Sequence, residues 1–155
     1  REWSGDTPGA DRSRVHSAWL DPVGFPLPPS LTGEEIDTLV QACLMELPQS
    51  IRNYLSNVVI LLEDLPNIDV LQQYDPPASP LQMLGYFSGP SLMDRGEGFT
   101  PWSQLPANII LYRCNLQRFS RDREHLIQEL RITLLHEVGH FLGLDEDDMV
   151  ERGLD

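Results

Sequence analysis

His136 and His140, near the end of the chain, have the residue types and the spacing of a metal site. On an α-helix, residues four positions apart lie one turn apart on the same face, so the two imidazoles would point at one position. Imidazole nitrogens in this arrangement suit Zn²⁺, which binds them tetrahedrally. Glu137 would lie beside that face, where it can act as general base toward a water molecule in the open coordination position.

Acidic residues just after this segment supply candidates for a third ligand. Gly143 lies where the helix should end, because glycine adopts the left-handed C-cap conformation at little cost. After such a turn the chain could fold back and bring Glu146 toward the two histidines. Asp145 and Asp147 also offer oxygens that suit zinc, so the residues alone leave the choice open. The alternative is that these acids form only a solvated tail.

The segment that carries these residues is predicted to be a long, largely buried helix. Ser120 or Asp122 would begin it. Apolar residues then recur on most of its sides: Leu126, Ile127, Leu130, Leu134, Leu135, Val138, Phe141 and Leu142. Leaving imidazoles and a carboxylate unpaired on a buried helix is costly, so a metal ion is the expected partner. His125 lies about three turns, roughly 16 Å, before His136 and is too distant to join the site.

The rest of the sequence predicts an α+β fold around this helix. Residues 32–35 form a capping box, which begins an amphipathic helix. Residues 58–62 are continuously apolar, as in a strand buried on both faces. Residues 84–88 and 108–114 are predicted to be two further strands. We therefore expect a three- to four-stranded sheet, backed by the capped N-terminal helix and by the buried helix near the C-terminus.

Two stretches are rich in proline and polar residues. Residues 1–30 carry several prolines and charges without apolar periodicity, which predicts an extended or disordered arm. The compact domain is then expected to span residues 31–155. Residues 67–82 form a second such stretch inside that domain, and a loop of this length commonly borders a functional cleft.

Composition limits the partners that this chain is expected to have. Its 155 residues suggest one domain, and its formal net charge of −13 argues against nucleic acid or an anionic membrane surface. The longest apolar run, residues 58–62, is too short to span a membrane, and no positively charged leader precedes an apolar stretch. Cys43 and Cys114, expected on a helix and in a strand, are predicted to be buried free thiols. That state fits a reducing cytoplasm.

The stretch from His136 to Glu146 resembles the zincin superfamily. Its form, H-E-x-x-H-x-x-G-x-x-E, is similar to the metzincin pattern with glutamate in place of the third histidine. From about Thr32 onward, the chain is similar to the small bacterial zincin-like metallopeptidases, also called minimal metalloproteases. The other matching stretches are residues 57–64, 84–89 and 108–113.

This resemblance implies a zinc-dependent peptidase. In the family pattern, His136, His140 and Glu146 would hold Zn²⁺, and Glu137 would be the catalytic base in the hydrolysis of a peptide or protein substrate. Glu146 fits the spacing of the pattern and is therefore preferred to its acidic neighbours. True metzincins place a methionine-containing turn well downstream, but only nine residues follow Glu146. Met149 is too close for that role, so the floor of the site must be built differently.

The resemblance also raises questions that the residues do not answer. The strand at 108–114 is a candidate edge on which an extended substrate pairs, although a plain core strand fits its sequence equally. Tyr86, Tyr112 and Arg113 are candidates for stabilising the oxyanion. The alternative to a peptidase is a zincin-like module that binds peptides without cleaving them. A further alternative is a peptidase kept latent by the arm of residues 1–30.

Overall fold

Helices and one small sheet make up the described part of the chain, in the α+β class that the sequence predicts. The computed structural model describes residues 7–24, 26–95 and 107–152. In chain order, the elements are α1 (Thr7–Leu20), α2 (Gly33–Glu46), α3 (Gln49–Leu55), β1 (Val58–Glu63), α4 (Ile68–Leu71), β2 (Gly85–Ser88), a 3₁₀ turn (Met93–Arg95), β3 (Ala107–Tyr112), α5 (Arg113–Phe119), α6 (Arg123–Leu142) and α7 (Glu146–Arg152). No helix among these residues is long and apolar enough to cross a lipid bilayer.

The sheet has the order β1-β3-β2, with β3 in the centre. β3 runs parallel to β1 and antiparallel to β2, and Ile109 pairs with Ile60 on one side and Phe87 on the other. The prediction that residues 58–62 are buried on both faces is wrong. β1 lies at an edge of the sheet, and Val59 and Leu61 are 47% and 39% exposed. An apolar run therefore marked a strand correctly here but not its place in the sheet.

The strand predicted at 108–114 ends two residues early. β3 stops at Tyr112, and α5 begins directly at Arg113, so Cys114 is helical. The backbone N–H of Cys114 donates to the carbonyl of Asp64, which follows β1, and closes the corner between the two elements. Because the first turn of α5 is buried as deeply as β3 is, apolar patterning alone gives no sign of the change from strand to helix.

Helix α6 is the central helix of the core, as predicted. The side chain of Asp122 accepts from the backbone N–H of His125 at the start of the helix, and Gly143 ends it with a left-handed φ of 87°. Five apolar side chains at helical spacing are at most 3% exposed: Leu126, Leu130, Leu134, Val138 and Phe141. Burial of this stripe fixes the orientation of α6 about its own axis, and so determines which side chains of the helix remain outside the core.

Helix α2 packs on the same core. It has the predicted capping box, in which Thr32 Oγ1 accepts from the N–H of Glu35 and Glu35 accepts from the N–H of Thr32. Two ion pairs, Glu35–Arg123 and Glu46–Arg131, join α2 to α6 at the surface. The sheet and α2 thus hold α6 in place and leave its C-terminal end for the site.

The expectation of an extended arm over residues 1–30 is wrong for residues 7–20, which form α1. The prolines explain this outcome. Pro8 lies in the first turn, where proline is tolerated, and the next prolines come after Leu20, so the helix interior contains none. The residues described between 21 and 30 are outside helices and strands. The division of the chain at residue 30 remains a prediction.

Candidate metal centre

The C-terminal half of α6 brings His136 and His140 together, as their spacing predicts. Their rings meet edge to face with centroids 4.8 Å apart, and their Nε2 atoms lie 3.1 Å from each other. Burial and the charge of His136 lower the pKa of His140, which favours the neutral imidazole. A neutral ring with a free nitrogen lone pair is the form that binds metals.

Glu146 is the acidic residue that reaches these histidines. After the Gly143 turn, the backbone N–H of Leu144 donates to the carbonyl of Gly139, and α7 folds back beside α6. Glu146 Oε1 then lies 3.5 Å from Nε2 of His140 and 3.8 Å from Nε2 of His136. The three residues are the one group of metal-binding type found among the described residues, with donor atoms within 4.8 Å of one another.

The neighbouring acids are engaged within the turn or lie outside this group. The N–H of Asp148 donates to Asp145 Oδ1 at 2.8 Å, which caps the start of α7. Asp145 and Asp147, the alternative ligands, are not part of the converging set. Of the acids left open by the sequence, the geometry favours Glu146.

The donor atoms fit a zinc ion. A tetrahedral site with metal–ligand bonds of about 2.0–2.1 Å places its donors about 3.3–3.4 Å from one another. The three separations here are 3.1, 3.5 and 3.8 Å. Shifts of a few tenths of an ångström would therefore let these three side chains hold one zinc ion at the cleft that they line. Two imidazoles and one carboxylate are a known catalytic zinc ligand set.

Met149 anchors α7 beneath α6. Its side chain is fully buried, and its Sδ lies only 2.6 Å from where a Cβ on Gly139 would be. Glycine at position 139 therefore permits the close approach of the two helices. Because Glu146 lies one turn before Met149, this packing also sets the position of the Glu146 carboxylate.

Glu137 is buried beside the histidines, against β2. It is 6% exposed, and the nearby backbone N–H of Phe87 partly offsets the rise in its pKa. Burial, followed by the negative charge of Glu146, raises the pKa of Glu137 to about 8. A Cβ on Gly85 would lie 3.0 Å from Glu137 Oε1 and 2.6 Å from Thr133 Cγ2, so this glycine lets β2 pack closely against α6.

These side chains open onto a cleft of about 570 Å³ between α6, β2 and the loop after α4. The lining residues are Tyr74, Met83, Leu84, Gly85, Tyr86, Phe87, Glu129, Ile132, Thr133, His136, Glu137, His140 and Glu146. The stretch at 67–82 does contribute to the cleft, through Tyr74. The prediction that all of it is loop is wrong, because Ile68–Leu71 form α4. Sequence reasoning missed Tyr74 and Gly85, because a lone tyrosine and a lone glycine carry no spacing signal.

Other candidates from the sequence lie elsewhere. Arg113 donates to Asp64 at 2.7 Å, which removes both from the cleft. Tyr112 is fully buried and is not among the cleft residues. The strand at 108–114 is central and paired on both edges, so it cannot pair with a substrate; β2 is the edge strand at the cleft.

An α+β domain whose longest helix presents two imidazoles, a buried glutamate and a carboxylate from the next turn has the architecture of a zincin. The chain belongs to the zincin-like metallopeptidase family, whose model matches residues 55–154. Comparison with curated proteins gave no significant match. The matched segment begins at the end of α3, so α2 packs on the family's core from outside the matched residues.

Proposed function

We propose that this protein is a zinc-dependent metallopeptidase that hydrolyses peptide bonds. The observation that supports this most directly is the meeting of four side chains at one cleft: the donor atoms of His136, His140 and Glu146 converge, and Glu137 lies beside them. Zinc chemistry needs these ligands, and peptide hydrolysis needs the base. Membership of the zincin-like family points to the same reaction class.

In this proposal each side chain has a distinct task. His136, His140 and Glu146 would hold Zn²⁺, which when bound lowers the pKa of a water molecule to about 7 and polarises a carbonyl group. Glu137 would take the proton from the attacking water. The same carboxyl group would then give that proton to the departing amine nitrogen, so Glu137 ends the cycle as it began. The burial of Glu137 against β2 would hold its carboxyl group in place for both transfers.

The substrate would be a peptide or an extended segment of a protein. β2 lies along the cleft as the edge strand, and its outer edge pairs with no described strand. Unpaired backbone groups on such an edge can bind an extended chain by strand addition. A substrate paired there would run past Glu137, because Phe87 lies on the same strand. We place the reaction in the cytoplasm, as an expectation that the free, buried Cys43 and Cys114 support.

The test is substitution of the base without disturbing the ligands. Glu137→Gln should retain stoichiometric zinc, measured by mass spectrometry of the dialysed protein, and lose nearly all hydrolysis of a fluorogenic peptide library. Asp147→Asn, a charge-neutralising change outside the ligand set, serves as the matched control and should keep both properties. Equal turnover by wild type and Glu137→Gln would remove Glu137 from the mechanism. Zinc and peptide binding without cleavage by the wild type would instead support the peptide-binding module.

A further inference from the structure

The cleft contains one phenol that no described residue engages. Tyr74 lines the same cleft as the metal-binding group and Glu137, and it is 45% exposed. Its hydroxyl makes no hydrogen bond within the part of the chain that the structure describes. Burial, then the charge of Glu137, Tyr86 and Glu146, raises the pKa of Tyr74, so its O–H stays protonated at neutral pH.

The candidates that the sequence offered for stabilising an oxyanion either already make a hydrogen bond or lie outside the cleft. Arg113 is held by Asp64, and its guanidinium lies outside the cleft. Tyr112 is fully buried, outside the cleft lining. Tyr86 does line the cleft, but its hydroxyl donates to Gln73 Oε1 at 2.5 Å. Among these groups and Tyr74, only Tyr74 both faces the cleft and has an unused donor.

The backbone around Tyr74 is fixed from both sides. Leu71, the last residue of α4, is 2% exposed, and its carbonyl accepts from the N–H groups of Tyr74 and Ala78. On the other side, the Tyr86–Gln73 hydrogen bond ties the residue before Tyr74 to β2. The loop therefore holds Tyr74 in a defined position at the cleft that α6 also lines. Such preorganisation is what makes a hydrogen-bond donor effective in a transition state.

We propose that Tyr74 is a catalytic residue, whose phenolic O–H donates a hydrogen bond to the oxyanion that forms on the scissile carbonyl. The inference rests on the proposed peptidase function. No covalent bond to Tyr74 forms, and its proton stays on the phenol oxygen throughout; only the hydrogen bond strengthens as negative charge develops. Tyr86 is a positioning residue, because its hydrogen bond to Gln73 holds the loop that carries Tyr74.

The experiment compares Tyr74→Phe with Tyr54→Phe, a matched loss of one hydroxyl on α3 at a residue that does not line the cleft. Tyr74→Phe should lower kcat by about 10- to 100-fold and leave KM nearly unchanged, because the lost bond exists mainly in the transition state. Its zinc content and unfolding midpoint should equal those of the wild type. Tyr54→Phe should leave kcat, KM and zinc content unchanged. Tyr86→Phe should reduce kcat by a smaller factor, through looser positioning of the loop.

Binding of a phosphinic peptide gives a readout other than turnover. Its tetrahedral, anionic phosphinyl group mimics the oxyanion, so Tyr74→Phe should weaken its binding by about the factor lost in kcat. Unchanged kcat and unchanged phosphinic-peptide affinity in Tyr74→Phe would overturn the role of Tyr74 while leaving the peptidase proposal intact. A wild type that binds zinc but neither cleaves peptides nor binds the phosphinic peptide would overturn both. If the wild type binds the phosphinic peptide but cleaves no peptide, only the peptidase function is overturned. The affinities of the wild type and of Tyr74→Phe for the phosphinic peptide then still test whether Tyr74 donates a hydrogen bond.

Discussion

Helix α6 carries two pairs of polar residues at the same four-residue spacing, but only one of these pairs is part of the candidate metal site. His125 and Glu129 lie near its start, with Nε2 and Oε1 3.0 Å apart. His136 and His140 lie near its end, with their Nε2 atoms 3.1 Å apart. Both pairs are partly buried on one helix, so neither spacing nor exposure separates them. The partners that each pair finds are what separate them.

In the first pair, both ring nitrogens of His125 already have partners. One ring nitrogen of His125 meets Glu129, and the other accepts from the backbone N–H of Arg121 at 3.1 Å. Both nitrogens are therefore committed, and neither is left to bind a metal. In the second pair, two imidazoles face each other, so the pair contains no carboxylate and only two donors for a metal. Glu146 approaches them from α7, across the Gly143 turn.

The comparison shows that the i, i+4 spacing is necessary for this site but does not create it. The segment after α6 completes the site with three features: a left-handed glycine, a buried methionine under Gly139, and an acid one turn before that methionine. A histidine pair that lacks a third donor and an open side is expected to remain an ordinary surface or core feature.

The largest expected effect comes from removing one imidazole of the second pair. His140→Ala should weaken zinc binding by more than about 100-fold, because the loss of a direct ligand exceeds the 10- to 100-fold typical of outer-shell partners. His125→Ala, the same change in the first pair, should leave zinc affinity unchanged. Competition with a chromogenic chelator at neutral pH measures both. Equal affinities for the two variants would mean that the converging rings do not bind the metal.

The next effect concerns the carboxylates. Glu146→Gln should weaken zinc binding by about 10- to 100-fold, since an amide oxygen is a poorer zinc ligand than a carboxylate. Glu129→Gln is the matched change in the first pair, at a residue that also lines the cleft, and should alter zinc affinity little. If Asp145→Asn or Asp147→Asn lowered the affinity as much as Glu146→Gln, the geometry would have identified the wrong acid.

Local signals in the sequence predicted much of this arrangement. The capping box at Thr32, the N-cap Asp122 and the C-cap Gly143 are short-range features, and each forms as the residue types require. The convergence of His136 and His140 also follows from one helix alone. Such features need no knowledge of the remaining fold, because the atoms that satisfy them lie within one turn.

The features that the sequence did not predict depend on contacts between distant residues. β1 lies at an edge of the sheet because its partner β3 pairs with β2 on the other side. The apolar run 58–62 does not indicate this order of strands. The selection of Glu146 among three candidate acids depends on Met149 packing against Gly139. Tyr74 lies at the cleft on a loop that Gln73 ties to Tyr86 on β2. Each of these outcomes requires tertiary structure.

A third effect is a pH dependence of stability that belongs to the site and not to the first pair. In metal-free protein, the pKa of Glu137 is raised from 4.5 to about 8, so the folded state holds a proton that the unfolded state has released. This contribution to stability is complete below about pH 4.5 and is lost as the pH rises toward 8, by at most about 1.4 kcal/mol per pH unit. Glu137→Gln cannot titrate and should lack this slope, whereas His125→Ala should retain it. Urea unfolding in the presence of a chelator, at several pH values, measures the slope of stability against pH for each variant. The lowered pKa of His140 contributes a slope of opposite sign, but this contribution is the same in all variants and cancels when they are compared. Identical slopes in wild type and Glu137→Gln would show that the carboxyl group is ionised in the folded protein.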